Sequence, residues 1–354
     1  SALLPRFCRL TSALPGAIAN VFVVRLAASA LATAAMLLYC QLAIGDPQRR
    51  QVSMILLLAV PLIEPFYVIA TYWLSRNHNR PNIVARSGAL LVRAAVIGLG
   101  LHFGAPVWLL AAAWVVEAFL NASIQSAQLA GAMPGKRFGR FVRRTRARRY
   151  LVFGLRFVPA LWLQAVFVRL DRLILSERME AGPFGLYATA MQLAEVWTQV
   201  AYLVGVSLAT AYLYERIRQG NFARAFAATF SAMLAIGAVG VVGAWWLGPW
   251  LLRAIFGPQF SASFPYLVAG MAFAVLLFGN QIVQLTLTTL DRPRLLLMSW
   301  IVATLVALLV IHLGYARLGA FAGPAGLAAG TVASWFALVP WMRSLNPRSS
   351  RGGA

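Results

Sequence analysis

The chain has 354 residues, of which 61% are hydrophobic and only 11% charged, against about 45–50% and about 25% in ordinary globular domains. That balance excludes a soluble globular domain and predicts a polytopic membrane protein. The formal net charge of +22 would point to nucleic acid in a soluble protein, but the basic residues lie between long apolar runs, read as topology signals, and leave no nucleic-acid partner expected.

With about 20 apolar residues per transmembrane helix as the ruler, the chain divides into roughly ten spans. They fall near 18–44, 52–74, 87–104, 107–131, 151–175, 184–213, 225–247, 264–290, 295–314 and 323–342. The fold class expected is all-α, a polytopic helical bundle in two lobes of four and six helices. The turn at Gly104, Ala105 and Pro106 predicts an antiparallel hairpin of the third and fourth spans. The first lobe covers 1–131, a basic linker 132–150, the second lobe 151–343, and a tail 344–354.

The basic residues set the orientation. One side of the alternating connections holds Arg6, Arg9, Arg76, Arg80, Arg86, Arg216, Arg218, Arg224, Arg292, Arg294, Arg343, Arg348 and Arg351. It also holds the run from Lys136 to Arg149, with Arg137, Arg140, Arg143, Arg144, Arg146 and Arg148 between them. The other side has Arg49, Arg50, Arg178, Arg253 and Arg317, so twenty-one stand against five. The excess marks the cytoplasmic side and places both termini there. Anchoring of topology and contact with anionic membrane lipids account for the linker run.

Cys8 and Cys40 suggest no disulfide framework, and His78, His102 and His312 are isolated, so neither a metal site nor a cofactor is expected. The chain starts at Ser1 without the order of a signal peptide, which suggests that something precedes it. No outer connection exceeds about 15 residues, which disfavours glycosyltransferases and polymerases built around a large outer loop. No phosphate-binding loop, zincin motif or nucleophile elbow occurs either, and no enzyme is expected.

Charges inside a span are costly, about 2.5–3.5 kcal/mol each near the centre. Glu64, Glu117 and Glu195 fall near mid-depth, and each heads or joins a polar stripe at helical spacing. The stripes are Glu64, Tyr67 and Thr71; Glu117, Asn121, Gln125 and Gln128; Thr189, Gln192, Glu195, Gln199 and Tyr202; and Gln281, Gln284 and Thr288. Such stripes serve either as interhelical hydrogen bonds or as the wall of a solvated cavity, and four of them favour the cavity. Pro61 and Pro65 are placed to kink the second span.

Arg25, Arg93 and Arg156 each read as about seven residues inside a cytoplasmic span end, roughly 10 Å at 1.5 Å per residue. They either snorkel singly to the interface or together form a cationic vestibule, whose natural ligand is a diphosphate. Asp171, between Arg169 and Arg172 near the outer end of the fifth span, reads as a cap or an interhelical partner. The glycines at 237, 240 and 243 and the Gly326/Gly330 pair permit close helix approach.

The second part of the chain carries an ordered set of motifs. Pro159 in a helix is followed by Asp171, by LIL at Leu173 to Leu175, and by FGLYATA with Gly185, Tyr187 and Ala190. FGPQFSASF follows at Phe256 to Phe264, and GPAGLAAGTVAS at Gly323 to Ser334. In order and spacing, over about residues 150 to 343, this resembles the Wzx-type polysaccharide flippases of the multidrug/oligosaccharidyl-lipid/polysaccharide exporter superfamily.

The resemblance implies a MATE-like flippase architecture of two six-helix lobes, and hence that the first two helices are missing from this chain. It implies translocation of polyprenyl-diphosphate-linked oligosaccharide across a bacterial inner membrane, for polysaccharide or O-antigen biosynthesis. In that reading Arg25, Arg93, Arg156, Gln192, Gln199, Gln281 and Gln284 are candidates for binding diphosphate and sugar. Glu64, Glu117 and Glu195 are candidates for coupling to protons or sodium, and Asp171, Gly185 and Tyr187 are structural marks of the family. Other polysaccharide assembly proteins are candidate partners. The rivals are a multidrug or cation antiporter of the same superfamily, a membrane glycosyltransferase or polymerase, and a scaffold that does not transport.

Overall fold

The computed structural model describes residues 14–76, 78, 80–132, 138–204 and 222–344. Lys136, Arg137, the sixth span beyond 204 and the tail from 345 lie outside these residues, as do the side chains of the sixth span from Val200, including Tyr202. Among the described residues there are helices and turns and no strand. The chain forms two compact units that divide between Gly154 and Leu155.

The first unit opens with α1, Leu14–Ala43. Asp46 then accepts from the backbone amides of Gln48 and Arg49, at 2.8 and 3.3 Å, and Pro47 takes the first helical position. This is a capped start, and it launches α2, Pro47–Leu58. The second span does not continue straight. It breaks into α3, Val60–Ile63, and α4, Tyr67–Ser75, around Pro61 and Pro65, whose missing amide donors interrupt the helical ladder. Helices α5, Arg80–His102, and α6, Val107–Ala132, form a hairpin whose turn includes Gly104 at φ +65°. Their antiparallel sense is fixed by contacts of Gly100 with Leu110 and of Arg93 with Glu117.

After a 3₁₀ turn at Phe138–Phe141, α7 runs over Arg144–Leu155. A core of Leu14, Ile18, Val21, Val68, Trp73 and Leu129, with Tyr150 packed on it, ties together one end of α1, α4, α6 and α7.

The second unit begins with a broken span. Where one helix over 151–175 is expected, there are α7, α8 at Val158–Phe167 and α9 at Leu170–Leu175. Pro159 stands in the first turn of α8, and Arg169, at φ −114° and ψ 5°, leaves the helical conformation before α9. Then come α10, Ala181–Val204; α11, Phe222–Phe256; α12, Phe264–Thr289; α13, Pro293–Leu318; and α14, Ala322–Ser344. Gly237 faces Phe278 and Gly248 faces Leu267, so α11 and α12 are antiparallel. Gly326 faces Ala307 and Gly330 faces the carbonyl of Ala303, so α13 and α14 are too. At Gly330 a Cβ would collide with that carbonyl, and only glycine permits the approach.

Seven stretches of described residues are long and apolar enough to cross a membrane, or eight if the pieces flanking Arg156 and Phe157 count as one broken span. The last stretch, Pro293–Trp341, holds the antiparallel pair α13 and α14 and so crosses and returns. Helix α10 is not among the seven, because Gln192, Glu195, Thr198 and Gln199 lower its mean hydropathy. It is held by protein, with Met191 and Ala194 against Gly270 of α12 and Trp197 against Gly240 of α11. Helix α11 has 35 residues, about 52 Å at 1.5 Å per residue, well beyond a hydrocarbon core of about 30 Å. Arg224 and Arg253 near its two ends are 29 residues apart, about 44 Å, the thickness of a bilayer with its head groups. Exposed side chains such as Leu31, Leu42, Phe103, Trp162 and Trp246 give the spans an apolar outer surface.

Candidate functional site

Inside the first unit, two arginines share one arrangement. Arg25 of α1 lies 3.3 Å from the Glu64 carboxylate, and it donates to the Glu64 backbone carbonyl at 2.9 Å. That carbonyl is free because the break at Pro65 sends the Val68 amide to Pro65 instead. The guanidinium also stands 5.8 Å from the centre of the Tyr67 ring. Arg93 of α5 pairs with Glu117 of α6 at 2.5 Å and lies 3.9 Å from the ring of Trp114. In both cases one span supplies the cation, and the next supplies a carboxylate and an aromatic face three residues apart. Carboxylate and ring together compensate a guanidinium withdrawn from water.

These contacts change the charge expected of the arginines. Helix α5 begins at Arg80, thirteen residues before Arg93, and ends at His102, nine after it. Arg93 is therefore near the middle of its helix, which starts before the apolar run expected from residue 87. Arg25 stands eleven residues beyond Leu14. Each is matched by a carboxylate, so the two do not form an uncompensated cationic layer. Their side chains remain accessible, at 32% for Arg25 and 20% for Arg93. Arg156 belongs to the second unit, is exposed at the break between α7 and α8, and has no ion pair among the described residues.

The second unit concentrates its charges around α9. Arg172 donates to Glu195 of α10 at 2.9 Å, and Arg169 lies 3.7 Å from the other oxygen of the same carboxylate. Asp171 is fully buried and accepts a short hydrogen bond from the Tyr187 hydroxyl of α10. Its other oxygen lies 4.0 Å from Arg172 Nε, and neither of these two atoms has a hydrogen-bond partner among the described residues. Gly323, at the start of α14, backs onto both side chains. A Cβ there would meet the Tyr187 hydroxyl and would stand 3.1 Å from Asp171 Cβ. Three residues from three separate sequence motifs thus meet in one packed knot. Gly185 sits one half-turn before Tyr187, where its carbonyl accepts from Thr189 at 2.8 Å.

The remaining stripe residues vary. Gln192 and Gln199 are exposed on α10, and Gln281 and Gln284 are half-buried on α12. Asn121 accepts from Gln125 at 3.0 Å, while the carbonyl oxygens of Gln125 and Gln128 are buried with no partner among the described residues. Thr71, Thr189 and Thr288 bond to carbonyls of their own helices, so they are satisfied locally.

Sequence reasoning missed three groupings. Arg169 and Arg172 were seen only as neighbours of Asp171, although their partner is Glu195. Arg178, at 2.6 Å from His312, lies over the ring of Tyr315, whose hydroxyl donates to the Arg178 carbonyl. Asn280 accepts from Trp335 at 3.1 Å. The first left a signal, two cations in four residues of an apolar run.

Solved structures share this architecture. A mutant form of the Vibrio cholerae MATE transporter VcmN superposes with a TM-score of 0.73 at 11% identity, covering 99% of this chain and 87% of its own. An outward-facing multidrug resistance MATE family transporter of the MOP superfamily gives 0.71 at 14%, covering 97% and 81%. A MOP superfamily transporter from Pyrococcus furiosus, described as having a binding pocket of reversed polarity that suggests a different function, gives 0.70 at 15%, again covering 97% and 81%. No family model matches the chain, and no curated protein matches its sequence. The chain is an all-helical, multi-pass membrane protein with the fold of the MATE transporters.

Proposed function

We propose that the protein is a flippase that moves a polyprenyl-diphosphate-linked oligosaccharide across a bacterial inner membrane by alternating access. The observation that carries this reading is the pair of accessible guanidiniums, Arg25 and Arg93, each held by a single carboxylate and an aromatic face. A guanidinium fork matches phosphate oxygens as well as carboxylate oxygens. An arriving diphosphate exchanges with Glu64 and Glu117 for the two arginines. The released carboxylates then need a counter-charge, which a proton or sodium ion supplies, and this links cargo to the coupling ion. Gln192, Gln199, Gln281 and Gln284 offer donors and acceptors for sugar hydroxyls, and Arg156 offers a further phosphate contact. Glu195, held by Arg172, takes a coupling role in the second unit. The basic excess on one side supports cytoplasmic termini, and the reading takes lobes at 1–131 and 151–343 joined by the linker. No covalent chemistry is asked of any residue.

Proteoliposomes loaded with a fluorescent polyprenyl-diphosphate sugar test the reading. Flipping by the native chain is expected, with loss in Arg25→Gln and Arg93→Gln. In cells, lipid-linked repeat units accumulate on the inner leaflet when the protein is absent, whereas normal surface glycan in a clean deletion would sink the idea.

A second reading, a multidrug or cation antiporter, draws support from the three glutamates inside the spans and from the multidrug transporter of the same fold. All three glutamates are paired with arginine, which opposes an acidic pocket for cationic drugs. Efflux of a lipophilic cation, undiminished in Arg25→Gln, would favour the antiporter.

A further inference from the structure

The basic segment near the end of the first unit is fixed in place, and one buried side chain fixes it. Asn20 of α1 is fully buried. Its amide nitrogen donates to Gly16 of its own helix at 2.6 Å and to the carbonyl of Phe141 at 2.9 Å, and its oxygen accepts from the Arg143 amide at 2.8 Å. Asn20 thereby replaces a peptide partner for a segment more than 120 positions away. Gly16 adds room beside it, since a Cβ at that position would stand 3.2 Å from Arg146 Nη1. Tyr150, one turn further on, packs on the core shared by α1, α4 and α6.

The surface held this way is strongly cationic. Arg140, Arg143, Arg144, Arg146, Arg148 and Arg149 are all exposed, and none is in an ion pair among the described residues. No Asp or Glu occurs between Glu117 and Asp171. Along α7 the character then changes abruptly from RTRARR to YLVFGL, with Leu151 and Val152 exposed. Arginine and bare aliphatic side chains follow each other within about 10 Å along one helix. A diacyl phospholipid presents phosphate and acyl chain in that order, whereas a nucleic acid has nothing to place on Leu151 and Val152.

The geometry points to a binding surface for anionic glycerophospholipids on residues 140–152, held rigid by Asn20. Guanidiniums take the head-group phosphates, and the aliphatic end of the segment lies along the acyl chains. Asn20 is a positioning residue here, because it touches no lipid and fixes the backbone that carries the arginines.

Native mass spectrometry of the full chain, released from micelles holding equal amounts of phosphatidylglycerol and phosphatidylcholine, tests this directly. The native chain is expected to retain phosphatidylglycerol in preference. Arg144→Gln, Arg148→Gln and Arg149→Gln combined should weaken that retention about a hundredfold, from about 1 kcal/mol per basic residue at an anionic surface. The matching triple Arg→Lys variant keeps most of it. Asn20→Ala, with net charge unchanged, should lower the preference, and inorganic phosphate should not displace the lipid. Equal retention of the two lipids by the native chain, or an unchanged preference in the Gln variant or in Asn20→Ala, would overturn the proposal. Displacement of phosphatidylglycerol by a short DNA duplex would overturn it in favour of nucleic acid.

Discussion

The two units treat charge inside the membrane differently. In the first, Arg25/Glu64 and Arg93/Glu117 are open pairs, accessible on the side and backed by an aromatic ring. In the second, Arg172 and Glu195, at 21% and 23% exposure, are as accessible as Arg93 and Glu117, but Asp171 beside them is sealed at 0% exposure behind Tyr187 and Gly323. An open pair exchanges partners at little packing cost. A sealed one does not, and removing a component leaves a buried polar group unsatisfied. The contrast assigns exchange to the accessible pairs, which the first unit has without a sealed partner, and structural fixation to the knot around Asp171.

The largest effect is expected at the knot. Gly323→Val drives its side chain into the Tyr187 hydroxyl and against Asp171 and Leu175, all three fully buried. Overpacking of this kind costs about 1–3 kcal/mol or more. The check is thermal unfolding in detergent followed by tryptophan fluorescence, together with the yield of folded protein. Tyr187→Phe follows, since it removes the donor to a buried carboxylate and costs about 1–3 kcal/mol. Unfolding temperatures of these variants close to the native one would break the assignment of the knot to structure.

Next comes the open pair at Arg93 and Glu117. Each single neutralisation, Arg93→Gln or Glu117→Gln, leaves one charge unmatched at mid-helix, and because both side chains are 20% exposed the cost falls below that of a charge fully buried in lipid. The double variant leaves none. Expression and unfolding temperature should therefore fall in each single variant and recover in the double one, while flipping stays lost in the double. Recovery of stability and flipping together would make the pair a mere packing clip, and the contrast between the units would disappear.

How far the sequence revealed this depended on what each residue contrasts with. Hydropathy found α5 and α6 as a hairpin because Gly104 and Pro106 interrupt an otherwise apolar stretch. It left out the first turns of α5, because RPNIVARS at the start of the helix is helical without being apolar. Helices do not end where their apolar runs do. Pro61 and Pro65 announced the break that frees the Glu64 carbonyl for Arg25. The pairing of Arg172 with Glu195 depends on the rotation of α9 after the break at Arg169, and a residue spacing along a chain does not encode that rotation. Asp171, Tyr187 and Gly323 were visible as separate motifs, and only the packing of α9, α10 and α14 shows them as one contact.

The smallest structural effect should be at Arg156. Its side chain is exposed where α7 and α8 part, and among the described residues it has no ion pair, so Arg156→Gln should change stability within about 0.5 kcal/mol. Flipping is a separate matter. If an unpaired guanidinium here meets the diphosphate, the substitution removes a charge-assisted hydrogen bond of about 1.5–3 kcal/mol and slows uptake of cargo at low substrate. At saturating substrate the rate should be restored. Arg156→Lys, which keeps charge but not the fork, should fall between the two. Initial rates over a range of fluorescent substrate concentrations separate these cases. A native rate in Arg156→Gln at every concentration confines phosphate recognition to the open pairs of the first unit.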